Sequence, residues 1–224
     1  MQGKLIIIEA GDGSGKATQT KMLYDRLKQE GYKVKKIEYP DYESKACIPV
    51  KMYLQGEFGG HVDDVNAYAA SVLFAVDRYA SYRMKWKKAY EEGYIILADR
   101  YTTSNMVHQA VKIKDIKERD EFLKWLWDTE FEKMGLPIPD KVIFLDVPTK
   151  ISNKLIDNRS KQQHRAKDIH EQDVNYLERC HQVYQEMAKR YAWDIVNCAE
   201  NDQLKTVETI HENIWQKVCT LLTK

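Results

Sequence analysis

The chain lacks any apolar run approaching the roughly 20 residues needed to span a bilayer, so no membrane partner is expected. Its opening, Met1-Gln2-Gly3-Lys4, has no long apolar stretch of the secretory kind, and a cytoplasmic protein is the expectation. Charge of one sign is lacking too. Lys and Arg total 35 against 34 Asp and Glu, a net charge of +1. Nothing therefore draws the whole chain toward nucleic acid or lipid, and any anion site must be local. Cysteine is sparse: Cys47, Cys180, Cys198 and Cys219 form no CxxC pair and have no His at metal spacing. Buried free thiols in a reducing compartment are expected. There is no internal repeat, low-complexity tract or Pro/Gly-rich linker, so the 224 residues suit one domain, residues 1–224. Apolar residues at 43% and charged residues at 31% give the balance of a soluble globular chain.

What the chain does have is short apolar runs alternating with segments of helical period. Lys4 to Glu9 is a compact β-branched run that stops at a Gly-rich turn. Thr18 to Gln29 places Met22, Leu23, Arg26 and Leu27 at helical spacing, with Gly31 as the stop. Lys33 to Tyr39 alternates like a strand and ends at Pro40. Asp63 to Glu91 predicts one or two helices, with Ala70, Leu73, Phe74 and Asp77 on an early face. Tyr94 to Ala98 and Val142 to Val147 are apolar strands, and Trp193 to Cys198 is a last short one. Leu204, Val207, Ile210, Ile214, Val218 and Leu221 form the stripe of a closing helix. Strands separated by helices imply an α/β fold with a central parallel sheet of about five strands, covered on both faces.

The strongest chemical signal follows the first strand: Glu9-Ala10-Gly11-Asp12-Gly13-Ser14-Gly15-Lys16-Ala17-Thr18. Glycines at 11, 13 and 15 let backbone N–H groups curl around a phosphate, and the next helix adds its positive end. Lys16 would set an ammonium against the β- and γ-phosphates of a nucleotide. Gly11, Asp12, Gly13, Ser14, Gly15, Lys16, Ala17 and Thr18 are thus the candidate ATP cradle. Two departures from G-x-x-x-x-G-K-[ST] stand out: Ala10 replaces the first Gly, and Ala17 replaces the hydroxyl that usually meets Mg²⁺. Thr18 has a hydroxyl, but one residue along a helix points about 100° away.

Further along, the residues resemble the thymidylate kinase family over roughly residues 3 to 220. Glu9 to Lys16 follows that family's E-G-x-D-G-x-G-K except at Ala10, and Tyr39-Pro40-Asp41-Tyr42 sits where the family has a Phe-Pro segment. Leu73-Phe74-Ala75-Val76-Asp77-Arg78 resembles L-F-x-A-[DN]-R, and Asp99-Arg100-Tyr101-Thr102-Thr103-Ser104-Asn105 resembles D-R-Y-x-x-S-N. Gly135 to Asp140 and Phe144 to Pro148 resemble G-L-P-x-P-D and L-D-V-P. The resemblance implies a single-domain P-loop kinase with a mobile lid at about 157–171, ATP and Mg²⁺ as cofactors, dTMP as acceptor and a homodimer. It assigns catalytic roles to Lys16, Asp12, Arg100, Arg159 and Arg165. Asp12, Tyr42, Phe74, Arg78, Arg100, Ser104, Asn105 and His108 would bind the acceptor. Asp99 and Glu171 would hold the metal.

The residues support those assignments on their own chemistry. Asp99 closes an apolar strand beside the P-loop strand, where open sheets place their ligands; a helix cap is the bland alternative. Arg100 has the planar fork for an acceptor phosphate. Phe74 alone would be core, but Arg78 four residues on shares its helix face, and an aromatic plate beside a donor suits a pyrimidine. Asn158 to Lys167 is the most basic polar stretch. Such a run is usually a solvated helix face, but in a kinase it is where a lid closes. Gly13 stands where some family members carry an arginine, so the lid's Arg159 or Arg165 would supply that charge. Another monophosphate acceptor, such as dUMP, UMP or dGMP, and a non-catalytic nucleotide-binding protein are the competing functions. A nucleic-acid-dependent ATPase would want a basic patch with interleaved aromatics, which is missing. His61, His181 and His211 have no usable spacing and are expected at the surface; Trp125 and Trp127 are expected to pack, with a subunit interface as the other use for one of them.

Overall fold

The computed structural model describes residues 2–163 and 168–222, with 158–163 in backbone only. Strand β1 (Lys4–Ala10) is the middle of a parallel sheet and leads into helix α1 (Lys16–Gln29). The chain continues through β2 (Val34–Glu38), α2 (Ile48–Leu54), α3 (Ala67–Ser81), α4 (Lys87–Glu91) and β3 (Ile95–Asp99). Next come α5 (Thr102–His108), α6 (Ile116–Trp127), β4 (Lys141–Asp146), α7 (Thr149–Gln163), α8 (Val174–Arg190) and β5 (Asp194–Asn197). A two-residue hairpin, β6 (Ala199–Glu200) and β7 (Gln203–Leu204), precedes α9 (Val207–Leu222).

The sheet order is β2-β3-β1-β4-β5 with every pairing parallel. Alternation along β1 explains why it sits at the centre. Ile6, Ile8 and Ala10 pack with Leu23 and Leu27 of α1 and Ile210, Ile214 and Val218 of α9. Leu5 and Ile7 face the other way, onto Trp86, Tyr90, Tyr101 and Phe131. Both faces of the sheet are therefore buried, as a parallel sheet requires. The connections from β1 and β3 run to opposite sides of the sheet, so their carboxyl ends open into a crevice where a ligand can bind.

Several expectations shift. The helical pattern from Asp63 begins only at α3, where the Asn66 carbonyl oxygen caps the Ala69 N–H at 2.8 Å. It then runs through a π-turn at Tyr82–Trp86 into α4, and a second π-turn, Asp128–Lys133, follows α6. The stripe of the closing helix starts at Ile210, because Leu204 belongs to the hairpin and both Leu204 and Val207 are exposed. His211 is buried rather than superficial, and His181 is half-buried with its Nε2 2.7 Å from Asp146 Oδ1. None of the four cysteines is in a disulfide; Cys47, Cys180 and Cys198 are buried and Cys219 only partly so. Among the described residues no helix is long and apolar enough to cross a membrane.

Candidate active site

The loop between β1 and α1 is built for close approach. Gly13 and Gly15 adopt φ of 71° and 75°, the left-handed region that favours glycine. A Cβ at Gly13 would lie 2.5 Å from the Ser152 carbonyl and 2.6 Å from Ile156 Cγ1, so α7 sits directly on the loop. That contact explains why no side chain stands at 13, and it joins the phosphate loop to the helix that leads toward the basic stretch. Among the described residues no backbone carbonyl accepts from the N–H groups of Gly11, Asp12, Gly13 and Gly15. The Ser14 hydroxyl is buried and without a partner. Buried donors left unmade are costly, and an anion with several oxygens satisfies them.

Charged groups converge beside the loop. Lys16 pairs closely with Asp99 at the end of β3, and Arg100 pairs closely with Asp12. Arg100 holds φ at 67°, an uncommon conformation for a residue with a side chain, and its N–H donates to the Ile8 carbonyl at 3.1 Å. The turn sends the guanidinium back over the loop. Its Nη1 reaches Tyr184 Oη at 3.2 Å and Ser104 Oγ at 3.3 Å. Burial raises the Asp12 carboxyl, but the Arg100 charge beside it wins and holds it well below the usual carboxylate range. Burial and the neighbouring Arg100 lower the Lys16 ammonium, with Asp99 opposing them.

Beneath Arg100 lies Glu9, fully buried at the end of β1. It accepts from Thr103 Oγ1 at 2.6 Å, Ser104 Oγ at 2.9 Å and Tyr184 Oη at 3.1 Å. Ser104 lines the cleft, yet its single hydrogen goes to Glu9 while it receives Arg100, so it acts on the site by holding that guanidinium in place.

From this charged end a cleft runs past Tyr39, Pro40, Tyr42, Leu54, Phe74 and Arg78. Asp12, Arg100, Ser104, Asn105 and His108 line it as well, so all eight acceptor residues expected from the sequence share one wall system. Phe74 is steadied edge-on by Tyr53, with ring centroids 6.0 Å apart. Asn105 Nδ2 donates to the Ser71 carbonyl at 3.4 Å, leaving its Oδ1 as the acceptor for a ligand. Arg78 is almost wholly buried, with Nε and Nη2 forked onto Glu130 at 2.7 and 2.6 Å. Thr102 Oγ1 adds 2.7 Å to the same carboxylate. Nη1 is the nitrogen left for a ligand.

The sequence reading missed Glu130, Gln109, Tyr53 and His170, and took Asp168, with Glu171, only as a carboxylate at the lid's end by family resemblance. Gln109 is fully buried, lines the cleft and has both amide atoms unpartnered. Asp168 and His170 also line it. Burial and the Asp12 charge push the Asp168 carboxyl up to about 6. Only the position of Asp168 near Glu171 hinted at these residues. Arg165 and the side chain of Arg159 fall outside the described residues, as does most of the basic stretch. Among the described residues no group of three or more His, Cys, Asp or Glu side chains could hold a metal ion.

Comparison with known proteins agrees with this geometry. A family model described as thymidylate kinase matches residues 8–214. A probable thymidylate kinase of Thermococcus gammatolerans is 29% identical over 214 residues, covering 95% of this chain and 94% of its own length. The thymidylate kinase of Mycobacterium tuberculosis is 30% identical over 187 residues, covering 82% of this chain and 85% of its own length. The fold matches a solved thymidylate kinase of Candida albicans with a TM-score of 0.70 at 23% identity, covering 98% of this chain and 92% of that one.

Proposed function

The chain belongs to the thymidylate kinase family, and on that premise we propose that it transfers the γ-phosphoryl group of ATP to dTMP, giving ADP and dTDP. One observation carries the reading: a phosphate loop with unmade donors opens onto a cleft that has a guanidinium at one end and pyrimidine-matched groups at the other.

In this account the N–H groups of residues 11–15, the Ser14 hydroxyl and Lys16 bind the ATP phosphates. Lys16 exchanges its ion pair with Asp99 for the β- and γ-oxygens, where charge spreads during transfer. Arg100, partly neutralised by Asp12, fixes the acceptor phosphate for in-line attack. Phe74 stacks on the base, Asn105 Oδ1 accepts the N3–H, and Arg78 Nη1 donates to the C4 oxygen. Mg²⁺, when bound, neutralises the ATP phosphates. With Ala17 in the hydroxyl position, Asp99, which pairs with Lys16 beside the cradle, and Glu171 would be the protein groups to hold it. Arg159 and Arg165 are the arginines for a lid at about 157–171.

We also infer a cytoplasmic enzyme, which cysteines without disulfides suit, and a homodimer. Tyr68, Val72, Val76 and Tyr79 form an exposed apolar stripe along α3, the kind of face a second copy would cover. The test of the reaction is phosphorus NMR of ATP, Mg²⁺ and dTMP with enzyme. Resonances of dTDP and ADP should grow in equal amounts; ATP hydrolysis without dTDP would refute it.

A further inference from the structure

Along one side of the cleft the imidazoles of His108 and His170 are stacked, with centroids 5.5 Å apart and planes 4° from parallel. Tyr176 gives its one hydroxyl hydrogen to the His108 carbonyl at 2.8 Å, so toward His108 Nδ1 at 3.2 Å it can only accept. Cys180 Sγ lies 3.6 Å from the same nitrogen, and His108 Nε2 lies 3.3 Å from both Arg100 Nη1 and Tyr184 Oη.

His170 is set from further away. Its Nε2 lies 3.0 Å from Tyr53 Oη, and Lys112 Nζ donates to the same oxygen from 3.0 Å. Lys112 also donates to the Val65 carbonyl at 2.9 Å and sits 5.2 Å from the centre of the Tyr53 ring. Burial lowers the Lys112 ammonium to about 8, so near neutrality it is charged and has no lone pair to offer. Were His170 to donate as well, the Tyr53 hydrogen would have only the Gln109 amide to turn to. The Gln109 amide is near, but neither of its polar atoms is within hydrogen-bond geometry of a partner. A buried hydroxyl hydrogen left unmade is costly. Tyr53 thus donates to Nε2, and the His170 hydrogen resides on Nδ1, against the Nε2–H preference of a free imidazole.

We propose that Lys112 is a positioning residue for the acceptor: acting through Tyr53, it fixes His170 as the Nδ1–H tautomer, so that the stacked wall offers an N–H donor to a hydroxyl of the acceptor's sugar. The inference rests on the acceptor reading above. His108 touches Arg100 at the phosphate end, and Tyr53 touches Phe74 at the base end, so the stack stands beside the sugar between them. Nδ1 is the ring's remaining polar atom, it has no hydrogen bond within the described residues, and the ring lines the cleft. Lys112 itself lies outside that cleft, against Asp63, Val65 and Lys114. With a lone pair in place of the donor, the hydroxyl would have to turn its own hydrogen toward the ring and give up its other acceptor.

The test uses the full chain labelled with ¹⁵N-histidine. Long-range proton–nitrogen NMR should show His170 with its hydrogen on Nδ1 in the native protein and a populated Nε2–H form in Lys112→Met. That variant and Tyr53→Phe should raise KM for dTMP about tenfold, the worth of one lost hydrogen bond, while KM for ATP stays put. Lys112→Arg, which keeps a charged donor, should retain the native tautomer. A native Nε2–H form, an unchanged tautomer in Lys112→Met, or equal rises in both KM values would overturn the proposal. The native spectrum needs neither a variant nor turnover. If dTMP is not a substrate, the acceptor reading fails while the spectrum still decides the tautomer.

Discussion

Replacing Glu130 puts the base end of the cleft under the sharpest strain. Its carboxylate is fully buried and forked by Arg78, whose side chain is 2% exposed, and it also receives Thr102. Burial would lower the Arg78 charge, but Glu130 restores and raises it, so the guanidinium stays charged with no solvent to fall back on. Glu130→Ala removes the only carboxylate in that fork. Breaking a buried pair in this way costs about 3–5 kcal/mol, against a typical domain stability of about 5–15 kcal/mol. The double variant Arg78→Met with Glu130→Leu removes both charges and fills the space, which should cost far less than Glu130→Ala alone. Urea unfolding of the three proteins measures this directly. Kinetics then separate stability from recognition. The double variant should fold yet lose the donor to the base C4 oxygen, worth about 1.5–3 kcal/mol for a charged hydrogen bond. Its kcat/KM for dTMP should accordingly fall roughly ten- to a hundredfold, with kinetics toward ATP little changed. A Glu130→Ala protein as stable as the native one, or a double variant that still selects dTMP over dCMP, would refute the reasoning.

Lys16→Ala should reduce kcat by orders of magnitude without unfolding the protein, since one such contact to a developing charge is worth about 3–4 kcal/mol; circular dichroism and turnover on the same sample check it. Gly13→Ala adds a Cβ against the Ser152 carbonyl and Ile156 at a left-handed φ, and should cost about 1–3 kcal/mol in thermal or urea stability and weaken ATP binding. Asp168→Asn should behave oppositely with pH. The folded carboxyl is raised from 3.8 to about 6, so the native side chain is at ease below pH 4 and becomes a burden as pH rises through 6. The Asn variant should then match the native protein near pH 4 and exceed it by about 1–3 kcal/mol at pH 7.5 in urea unfolding.

The sheet was legible because its strands are short β-branched runs bounded by breakers: Ile6-Ile7-Ile8 before the glycines, and Ile95-Ile96-Leu97 before Asp99. The cradle was legible because Gly, Lys and a following helix occur in one local order. The acceptor cleft was traceable through family motifs, and Phe74 with Arg78 lie on α3 as their spacing suggested. Long-range partners left no such mark. Glu130 lies 52 residues from Arg78 on a π-turn, and a one-residue insertion in a helix has no periodic signature. Tyr53, Lys112 and His170 come from α2, the turn after α5 and the segment before α8, and nothing local links them. The left-handed backbone at Arg100 is invisible in composition, because nothing but the surrounding packing enforces it. Leu204 misled for the reverse reason: it continues the apolar spacing of α9 by chance across the hairpin.

The central claim is that this cleft phosphorylates dTMP, and kcat/KM for dTMP, dUMP, UMP and dCMP at saturating ATP and Mg²⁺ tests it most directly. Arg78 and Asn105 match a pyrimidine with a carbonyl at C4 and a hydrogen on N3; cytosine would set its amino group against a donor and leave buried groups unpaired. dCMP should therefore fall at least about a hundredfold below dTMP. The 5-methyl group is worth only about 1–3 kcal/mol, so dUMP should come second and remain measurable. UMP should trail with dCMP. A purine nucleotide or dCMP at the head of that order would contradict the account.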